Sequence, residues 1–298
     1  MLQWQPYTTE YYQAVTDCLK RNFLSVRQMS DSTLKSWMQS LTDYPWIDKE
    51  PVNSLLYKRG VVLKDGDAVV GYLGLIYSYQ TFGDKQLITV NPTTWAIDEK
   101  YRITALDAIK KTDLTAQVTY NLTPIANMQK ILSSVFHYKV FEEKIYTFNF
   151  RPFIKKSNLA MQTVDLTTPD LPQDILQKLT DHAAYPIKCV RFNSNKQAAY
   201  LFYKIKKGKR KKIIPYTHIT VLETDNIDFF KKNASEVIRA LQKSEKATLI
   251  TDSRFFGGDE INCQKIDRVK PVKRMKVSKE DAACESESLL YSEIAILN

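Results

Sequence analysis

One stretch of the sequence, Asn91–Lys111, has the residue types and spacing of an anion-binding turn. It starts as an extended run, Thr93–Ile97, crosses a charged turn, Asp98–Lys100, and continues with apolar residues at helical spacing. A strand, a tight turn and a helix start together present free backbone N–H groups, which can bind a phosphate. Arg102 at the helix start would add a charge-assisted contact. The same residues also allow an ordinary strand, turn and helix with a surface arginine.

Side chains that could move a proton at neutral pH are few, because the chain contains three histidines. His182 follows Asp181 in a predicted helix, and the pKa of an imidazole suits a general base for an amine nucleophile. His218 in a predicted strand competes for that role, and so does Glu99 in the charged turn. A structural role is the alternative for each. The four cysteines are scattered without a CxxC pair, so the sequence predicts no metal site.

The basic run Lys204–Lys212 straddles Gly208 and is typical of a hairpin tip. It could contact an anionic partner such as a nucleotide-linked sugar, an acyl carrier protein or an acidic polymer. Tyr203 and Tyr216 could stack on bases, which leaves nucleic acid as an alternative partner, although no nucleic-acid-binding module is recognisable. The remaining interpretation is a solvated loop that keeps the protein soluble.

The elements that would position these residues alternate between helix and strand over the first 150 residues or so. Amphipathic helices are predicted at Thr8–Phe23 and Ser30–Leu41. An Asp-Gly turn then joins the strands Gly60–Lys64 and Ala68–Tyr77 into a hairpin. The later predicted elements are the strand Thr93–Ile97, a helix to Lys111, the strand Leu114–Tyr120, the helix Pro124–Val135 and the strand Lys139–Phe148.

The second half of the sequence repeats this order weakly. A helix is predicted at Pro172–Ala184 and a long helix at Asn233–Ser244, with strands between and after them. We therefore predict two domains, residues 1–152 and 153–298, of which the second is a degenerate copy of the first. The charged segment Arg268–Glu287 is expected to be an exposed arm of the second domain.

Composition limits the class of protein. The chain has 298 residues, 44% of them hydrophobic, which is enough for a packed core. The sequence has no apolar run long enough to span a membrane, and its beginning lacks the layout of a signal peptide. Dispersed cysteines fit reduced thiols, so we expect a cytoplasmic protein. The net charge of +10 favours an anionic partner.

The segment Trp95–Arg102 resembles the fourth strand and the pyrophosphate loop of the GNAT superfamily of acyl-CoA N-acyltransferases. The segments Asn121–Pro124, Ile131–Ser134 and His137–Val140 resemble the late strand, helix and closing strand of that superfamily. The resemblance implies an α/β fold with a GNAT-like mixed sheet flanked by helices, in two tandem halves. More narrowly, the chain resembles the GNAT-like proteins of bacterial surface-polysaccharide gene clusters.

The resemblance also implies a co-substrate, acetyl-CoA or another acyl-CoA, and no metal. Backbone groups of the fourth strand would bind the pantetheine amides, and the following turn would bind the pyrophosphate. The residues that the resemblance assigns to this role are Trp95, Ala96, Ile97, Tyr101, Arg102, Ile103, Thr104 and Ala105.

Three departures from the superfamily pattern stand out. The pyrophosphate loop reads Arg102-Ile-Thr-Ala-Leu-Asp107, without the glycines that let backbone approach phosphate. The place of the tyrosine that protonates the leaving thiolate holds Ser133 or Ser134, and the closing glycine is replaced by His137.

We expect an N-acyltransferase of GNAT type that transfers an acetyl group to an amine, with an amino sugar of surface polysaccharide as the acceptor that the narrower resemblance suggests. A catalytically inactive acyl-CoA-binding protein is the first alternative. A nucleic-acid-binding protein that uses the basic run is the second. A peptidyl-type transferase with a carrier-linked donor is a third.

Overall fold

The computed structural model describes residues 1–82, 85–152, 156–194, 197–210, 214–256, 266–279 and 289–296. The chain divides into two compact units. The first unit holds Met1–Lys139 with the described parts of Met275–Cys284 and Tyr291–Leu297. The second unit holds Val140–Arg274 and, from the C-terminal part of the chain, the described part of Glu285–Leu290.

The first unit is a six-stranded mixed sheet with helices. Its strand order is β1-β2-β3-β4-β5-β12, and β4–β5 is its parallel pair, whereas the other neighbours are antiparallel. Short 3₁₀ helices lie at Thr9–Tyr11, Val52–Ser54 and Glu99–Thr104. The longer elements are β1 (Leu2–Pro6), α1 (Tyr12–Asn22), α2 (Leu24–Arg27), α3 (Asp31–Thr42), β2 (Val61–Asp65), β3 (Ala68–Phe82), β4 (Lys85–Ile97), α4 (Ala105–Thr115), β5 (Val118–Asn121) and α5 (Ala126–Phe136).

The second unit repeats this topology. Its strand order is β7-β8-β9-β10-β11-β6, and β10–β11 is again the parallel pair. Its elements, with those that complete the chain, are β6 (Lys139–Phe148), β7 (Ala160–Val164), α6 (Gln173–Asp181), β8 (Ile187–Asn193), β9 (Ala198–Arg210), β10 (Ile214–Thr224), α7 (Ile227–Glu245), β11 (Thr248–Asp252), α8 (Ser253–Phe256), β12 (Arg268–Ser278) and α9 (Glu293–Ile296). The predicted α/β fold in two tandem halves is confirmed.

Each sheet receives its sixth strand from the other half of the sequence. β6 follows α5 in sequence but pairs with β11, and Met275–Ser278 of β12 pair with β5. The units are therefore not the two continuous halves of the sequence. The predicted boundary at residue 152 divides the sequence once, whereas each compact unit includes segments from both sides of that boundary.

The helices form where polar and apolar residues alternate at helical spacing. Ser30 caps α3, because its hydroxyl accepts a hydrogen bond from the Thr33 N–H at 3.2 Å. Leu34, Met38 and Leu41 lie on the buried face of this helix. In the second unit, Asn226 caps α7 in the same way. The predicted start of that helix at Asn233 falls instead on an internal kink, where the backbone leaves helical geometry.

The segment Arg268–Ser278, predicted to be part of an exposed arm, is the strand β12. Arg274 on this strand is buried, and its Nη1 lies 2.6 Å from Asp252 Oδ2. Arg254 contacts the same carboxylate at 2.7 Å. These two guanidiniums lower the pKa of Asp252 against the opposing effect of burial.

No helix that the structure describes is long and apolar enough to cross a membrane.

Candidate active site

The first unit contains a gap between its two parallel strands, here called the first gap. β4 and β5 pair at Thr89–Val118 and Val90–Thr119, but β4 continues to Ile97 and β5 to Asn121. Gln117 fixes the start of the pairing, since its N–H donates to the Ile88 carbonyl and its Oε1 accepts from the Ile88 N–H. Beyond Val90 the two strands no longer pair, so this side of β4 is left as an internal sheet edge.

A β-bulge lies in β4 just past the point of separation. Gly74 of β3 is paired with Thr93 and Leu73 with Trp95, which leaves Thr94 as the extra residue. Thr94 has φ of +52°, a left-handed conformation that is strained for a β-branched side chain. A Cβ on Gly74 would lie 3.1 Å from the Thr93 carbonyl oxygen, so glycine is what allows this close approach.

The register determines which backbone groups face the gap. The Asp98 N–H donates to the Val70 carbonyl of β3, so residues of the same parity, including Ala96, also direct their backbone groups to β3. Trp95 and Ile97 therefore direct theirs to the β5 side. Of the three strand residues predicted to bind the co-substrate, Ala96 is thus the one whose backbone groups are directed away from β5. Pro92 faces the gap from before the bulge and has no N–H, which fits the lost pairing.

The turn after β4 differs from the predicted helix start. Residues Glu99–Thr104 form a 3₁₀ helix, α4 begins at Ala105, and the Ala105 N–H donates to the Arg102 carbonyl. The Tyr101 N–H donates to the Asp98 carbonyl. The N–H groups without an acceptor in this helix are therefore those of Glu99 and Lys100, not those from Arg102 onward. The N–H groups at this helix start thus lie upstream of the residues that the sequence predicts for anion binding.

Three side chains hold this turn against α1. Arg21 Nη2 lies 2.8 Å from Asp98 Oδ2, and Asn22 Nδ2 donates to Asp98 Oδ1 at 2.9 Å. Arg102 is exposed and lies 3.5 Å from Glu99, and Ile103 is exposed as well. The Tyr101 hydroxyl donates to Asp65 at 2.6 Å and lowers the pKa of that carboxyl. The turn is thus positioned by the fold, while the Arg102 side chain remains accessible to a ligand.

Trp95 lines the face of the sheet that carries α4. Its side chain packs against two clusters of apolar side chains, one including Tyr101 and the other Tyr138. Its indole Nε1 is buried without a hydrogen-bond acceptor in the part of the chain that the structure describes. A buried N–H of this kind lies beside the first gap and can donate to a bound polar group.

Of the predicted catalytic residues, Glu99 lies in the turn beside the first gap, and its side chain is 87% exposed. His182 is buried, and its two ring nitrogens lie 2.8 Å from the Lys178 carbonyl and 2.9 Å from the Leu290 carbonyl. Burial lowers the pKa of His182, with the two carbonyl contacts opposing. Both nitrogens are occupied, so this geometry supports a structural role for His182 rather than the predicted general base.

His218 lies on β10 of the second unit, opposite Lys206 of β9. Burial and the neighbouring Lys206 charge lower the pKa of His218, and its ring centroid lies 4.6 Å from that of Tyr216. Tyr216 lies directly over Gly208. The predicted hairpin at the basic run is confirmed by the pairing of β9 with β10, although Lys211 and Lys212 lie outside the described residues.

The departures at the end of the first half have structural reasons. His137 has φ of +57° and ends α5 in the left-handed conformation for which glycine is preferred. The Tyr138 hydroxyl donates to Asp113 at 2.9 Å, and burial raises the pKa of both groups. Ser133 and Ser134 are exposed. The bulge at Thr94 and the Tyr138–Asp113 pair were not predicted, because neither has a distinctive sequence pattern.

Among the described residues, no group of three or more His, Cys, Asp or Glu side chains is placed to hold a metal ion.

No protein-family model matches the chain. No curated protein matches it either. Several solved structures are similar to this chain in fold. A GCN5-related N-acetyltransferase from Kribbella flavida has a TM-score of 0.58 at 10% identity, over 93% of this chain and 70% of its own. A GCN5-related N-acetyltransferase from Anabaena variabilis has a TM-score of 0.56 at 11% identity, over 93% and 72%. At such identities the likeness concerns the fold: this chain has the fold of the GNAT N-acetyltransferases.

Proposed function

We propose that the protein is an acyl-CoA-dependent N-acyltransferase whose donor site is the first gap. The observation that carries this proposal is the separation of β4 from β5 after Val90–Thr119, with backbone groups of Trp95 and Ile97 directed into the space. Pantetheine is an extended chain with two amides, so it can pair with such an edge as a peptide strand would. A fold likeness alone would not carry the activity.

The turn after β4 would hold the pyrophosphate of the donor. The N–H groups of Glu99 and Lys100 stand at the start of a helix, and the exposed Arg102 adds a positive charge. The residues Tyr101–Ala105, which the resemblance assigns to pyrophosphate binding, would surround this anion. The glycines of the superfamily's loop are missing from this segment. Arg21 neutralises Asp98 next to it, which reduces repulsion of the phosphates.

The chemistry would need little from side chains. The amine attacks the thioester carbonyl, a strand N–H stabilises the developing oxyanion, and the CoA thiolate leaves. Glu99, the predicted base in the first unit, lies in the turn proposed for the pyrophosphate, and the pantetheine arm separates this turn from the thioester, so the proton of the amine would pass to water. We propose acetyl-CoA as the donor and an amino sugar as the acceptor, a choice that rests on the resemblance of the sequence to proteins of surface-polysaccharide clusters. We also propose that the protein works in the cytoplasm.

Calorimetric titration with acetyl-CoA, free CoA and a longer acyl-CoA tests the donor site. We expect binding that Arg102→Ala weakens by about fivefold, the loss that about 1 kcal/mol of an exposed charge-assisted contact would cause. Lys35→Ala, which removes an exposed positive charge from α3, is the matched control and should bind as the wild type does. Failure of the folded wild type to bind any CoA species would contradict the proposal.

A screen for thiol release with amino sugars and with peptide amines then tests the acceptor. Turnover with amino sugars supports the acceptor class, whereas turnover only with peptide amines contradicts it. Tight acyl-CoA binding without turnover on any amine would support the catalytically inactive alternative.

We propose a second, separate role for the basic hairpin as a contact for an anionic partner. Lys204 and Lys206 lie directly opposite Thr220 and His218, so these side chains share one face of the sheet of the second unit. Lys206 is exposed and is the accessible charge of the pair, whereas Lys204 is buried, and burial and the Lys206 charge lower the pKa of Lys204 to about 8. Binding to an acidic polymer that falls steeply with salt and with Lys206→Gln would support this role, and indifference to both would contradict it.

A further inference from the structure

The second unit contains a counterpart of the first gap, here called the second gap. β10 and β11 pair in parallel from His218–Thr248 to Thr220–Ile250, and beyond that pair β10 continues to Thr224 and β11 to Asp252. β10 is also bulged past the point of separation. Val221 is paired with Tyr203 and Glu223 with Phe202, which leaves Leu222 as the extra residue. Strand separation and bulge thus occur in both units.

The second gap differs from the first because a segment of the chain is bound at its bulge. The Leu289 N–H donates to the carbonyl oxygen of Leu222, the bulge residue, at 3.1 Å. The next carbonyl, that of Leu290, lies 2.9 Å from His182 Nε2. Both leucine side chains are buried, with 1% and 0% of their surface exposed. The pair Leu289–Leu290, here called the C-terminal segment, is therefore seated by both its backbone and its side chains.

His182 fixes this segment to α6. Its Nδ1 contacts the Lys178 carbonyl one helical turn earlier, which orients the ring, and its Nε2 reaches the C-terminal segment. Lys178 in turn pairs with Glu223, three residues after Thr220 and next to the bulge residue Leu222, at 2.5 Å. α6, the bulge of β10 and the segment are thus connected through polar contacts.

The helix start that follows β10 is also occupied by the chain. Asn226 Oδ1 accepts a hydrogen bond from the Phe229 N–H at 3.0 Å, and Asp225 and Asp228 place negative charge beside it. Asp225 accepts a hydrogen bond from the Tyr200 N–H. A side-chain cap and two carboxylates disfavour a pyrophosphate at this position.

We propose that the C-terminal segment is the resident ligand of the second gap, so that this site binds Leu289 and Leu290 of its own chain in place of an acyl-CoA. Each protein molecule then takes up one acyl-CoA, in the first gap. The stoichiometry rests on the proposed function, whereas the occupancy of the second gap rests only on the contacts of the second unit.

Hydrogen–deuterium exchange of the unmodified full-length protein tests the occupancy without any mutation. The Leu289 amide should exchange as slowly as amides of β10, because its hydrogen bond is buried at the bulge. Exchange of this amide at the rate of an unprotected peptide would overturn the proposal.

A charged substitution then tests whether the segment protects the gap. In Leu290→Asp the buried leucine becomes an anion, so the segment should leave, and amides of Val221–Thr224 should exchange at least about tenfold faster. Leu166→Asp, at a leucine of the same unit that is 49% exposed, is the matched control and should leave this exchange unchanged. Unchanged exchange in folded Leu290→Asp would overturn the proposal.

A synthetic peptide of residues 286–293 supplies the ligand in trans. Added to Leu290→Asp, it should bind once per chain and restore the slow exchange of Val221–Thr224, and a peptide with both leucines replaced by aspartate should not. Calorimetry of the wild type should give one acetyl-CoA per chain, and a value of two would overturn the proposal. If no CoA binds while the peptide restores protection, the proposed function fails and the occupancy of the second gap stands.

Discussion

The two gaps of this molecule share a topology but differ in what their backbone groups contact. In the first gap, Trp95 and Ile97 direct backbone groups toward β5 beyond the last strand pair, next to a strained bulge at Thr94. In the second gap, the Leu222 carbonyl at the bulge accepts the Leu289 N–H. The bulges also differ in conformation, since Thr94 is among the described residues with positive φ and Leu222 is not.

The difference shows that one fold can leave a strand edge unpaired in one unit and cover the equivalent edge in the other. Backbone N–H and C=O groups that leave a strand pair must be satisfied by water, by a ligand or by other parts of the chain. The second unit satisfies them internally, with Leu289 at the bulge and Asn226 at the helix start. The first unit keeps an edge that suits an extended amide-bearing ligand, and this contrast argues for placing the donor site there.

Asp252 gives the largest expected effect, because it ends β11 at the second gap with its carboxylate buried between two guanidiniums. Asp252→Asn removes the negative charge that Arg254 and Arg274 share, so the second unit should lose about 3 kcal/mol of its free energy of unfolding. Urea unfolding combined with hydrogen exchange in the second unit measures this loss.

The corresponding residue at the end of β5 in the first gap, Asn121, is the control for that experiment. Asn121→Ala should change stability by less than about 1 kcal/mol, because no charged cluster surrounds it in the described structure. A loss of equal size in the two variants would show that the strand ends at the two gaps contribute equally to stability, which contradicts the difference between the gaps.

Most of the fold can be read from the sequence, since periodicity places α1, α3, α5, β2, β3 and β6 close to their observed bounds. The short edge strands β1 and β7 have no such pattern, and β12 is missed because Arg274 and its charged neighbours predict exposure. Of the candidate site, the strand Thr93–Ile97 and the charged turn Asp98–Lys100 are recognisable in the sequence. The role of His182 is not, because its partner Leu290 is more than a hundred residues away.

Thr94 at the bulge of the first gap is the next test. Its φ of +52° is costly for threonine and free for glycine, so Thr94→Gly should preserve stability or raise it, whereas Thr93→Gly in regular strand should lower it. We expect the two variants to differ by about 1–2 kcal/mol in urea unfolding. Equal losses would mean that the bulge stores no strain and that it does not distinguish the first gap.

The smallest effect concerns acidification of the second gap. Burial lowers the pKa of His182, so the folded state favours the neutral ring. Above the unfolded pKa of about 6.5, the ring is neutral in both the folded and the unfolded state. As the pH falls toward the lower pKa of the folded state, the unfolded state takes up the proton first, so acidification lowers the free energy of unfolding. The folded second unit should therefore lose stability as the pH drops below about 6.5, and the Leu289 amide should exchange faster.

Other ionisable groups near this ring are Lys178, Asp181, Tyr185 and Glu223, and their own titration would blur a measurement on the wild type alone. The informative quantity is the difference between the wild type and His182→Gln, followed as exchange of the Leu289 amide from pH 7.5 down to about 5. A difference that grows on acidification ties the closed state of the second gap to the neutral imidazole. If the two proteins follow parallel pH profiles, the contacts of His182 contribute through packing alone, and the second gap is closed by Leu289 and Leu290 without help from the ring.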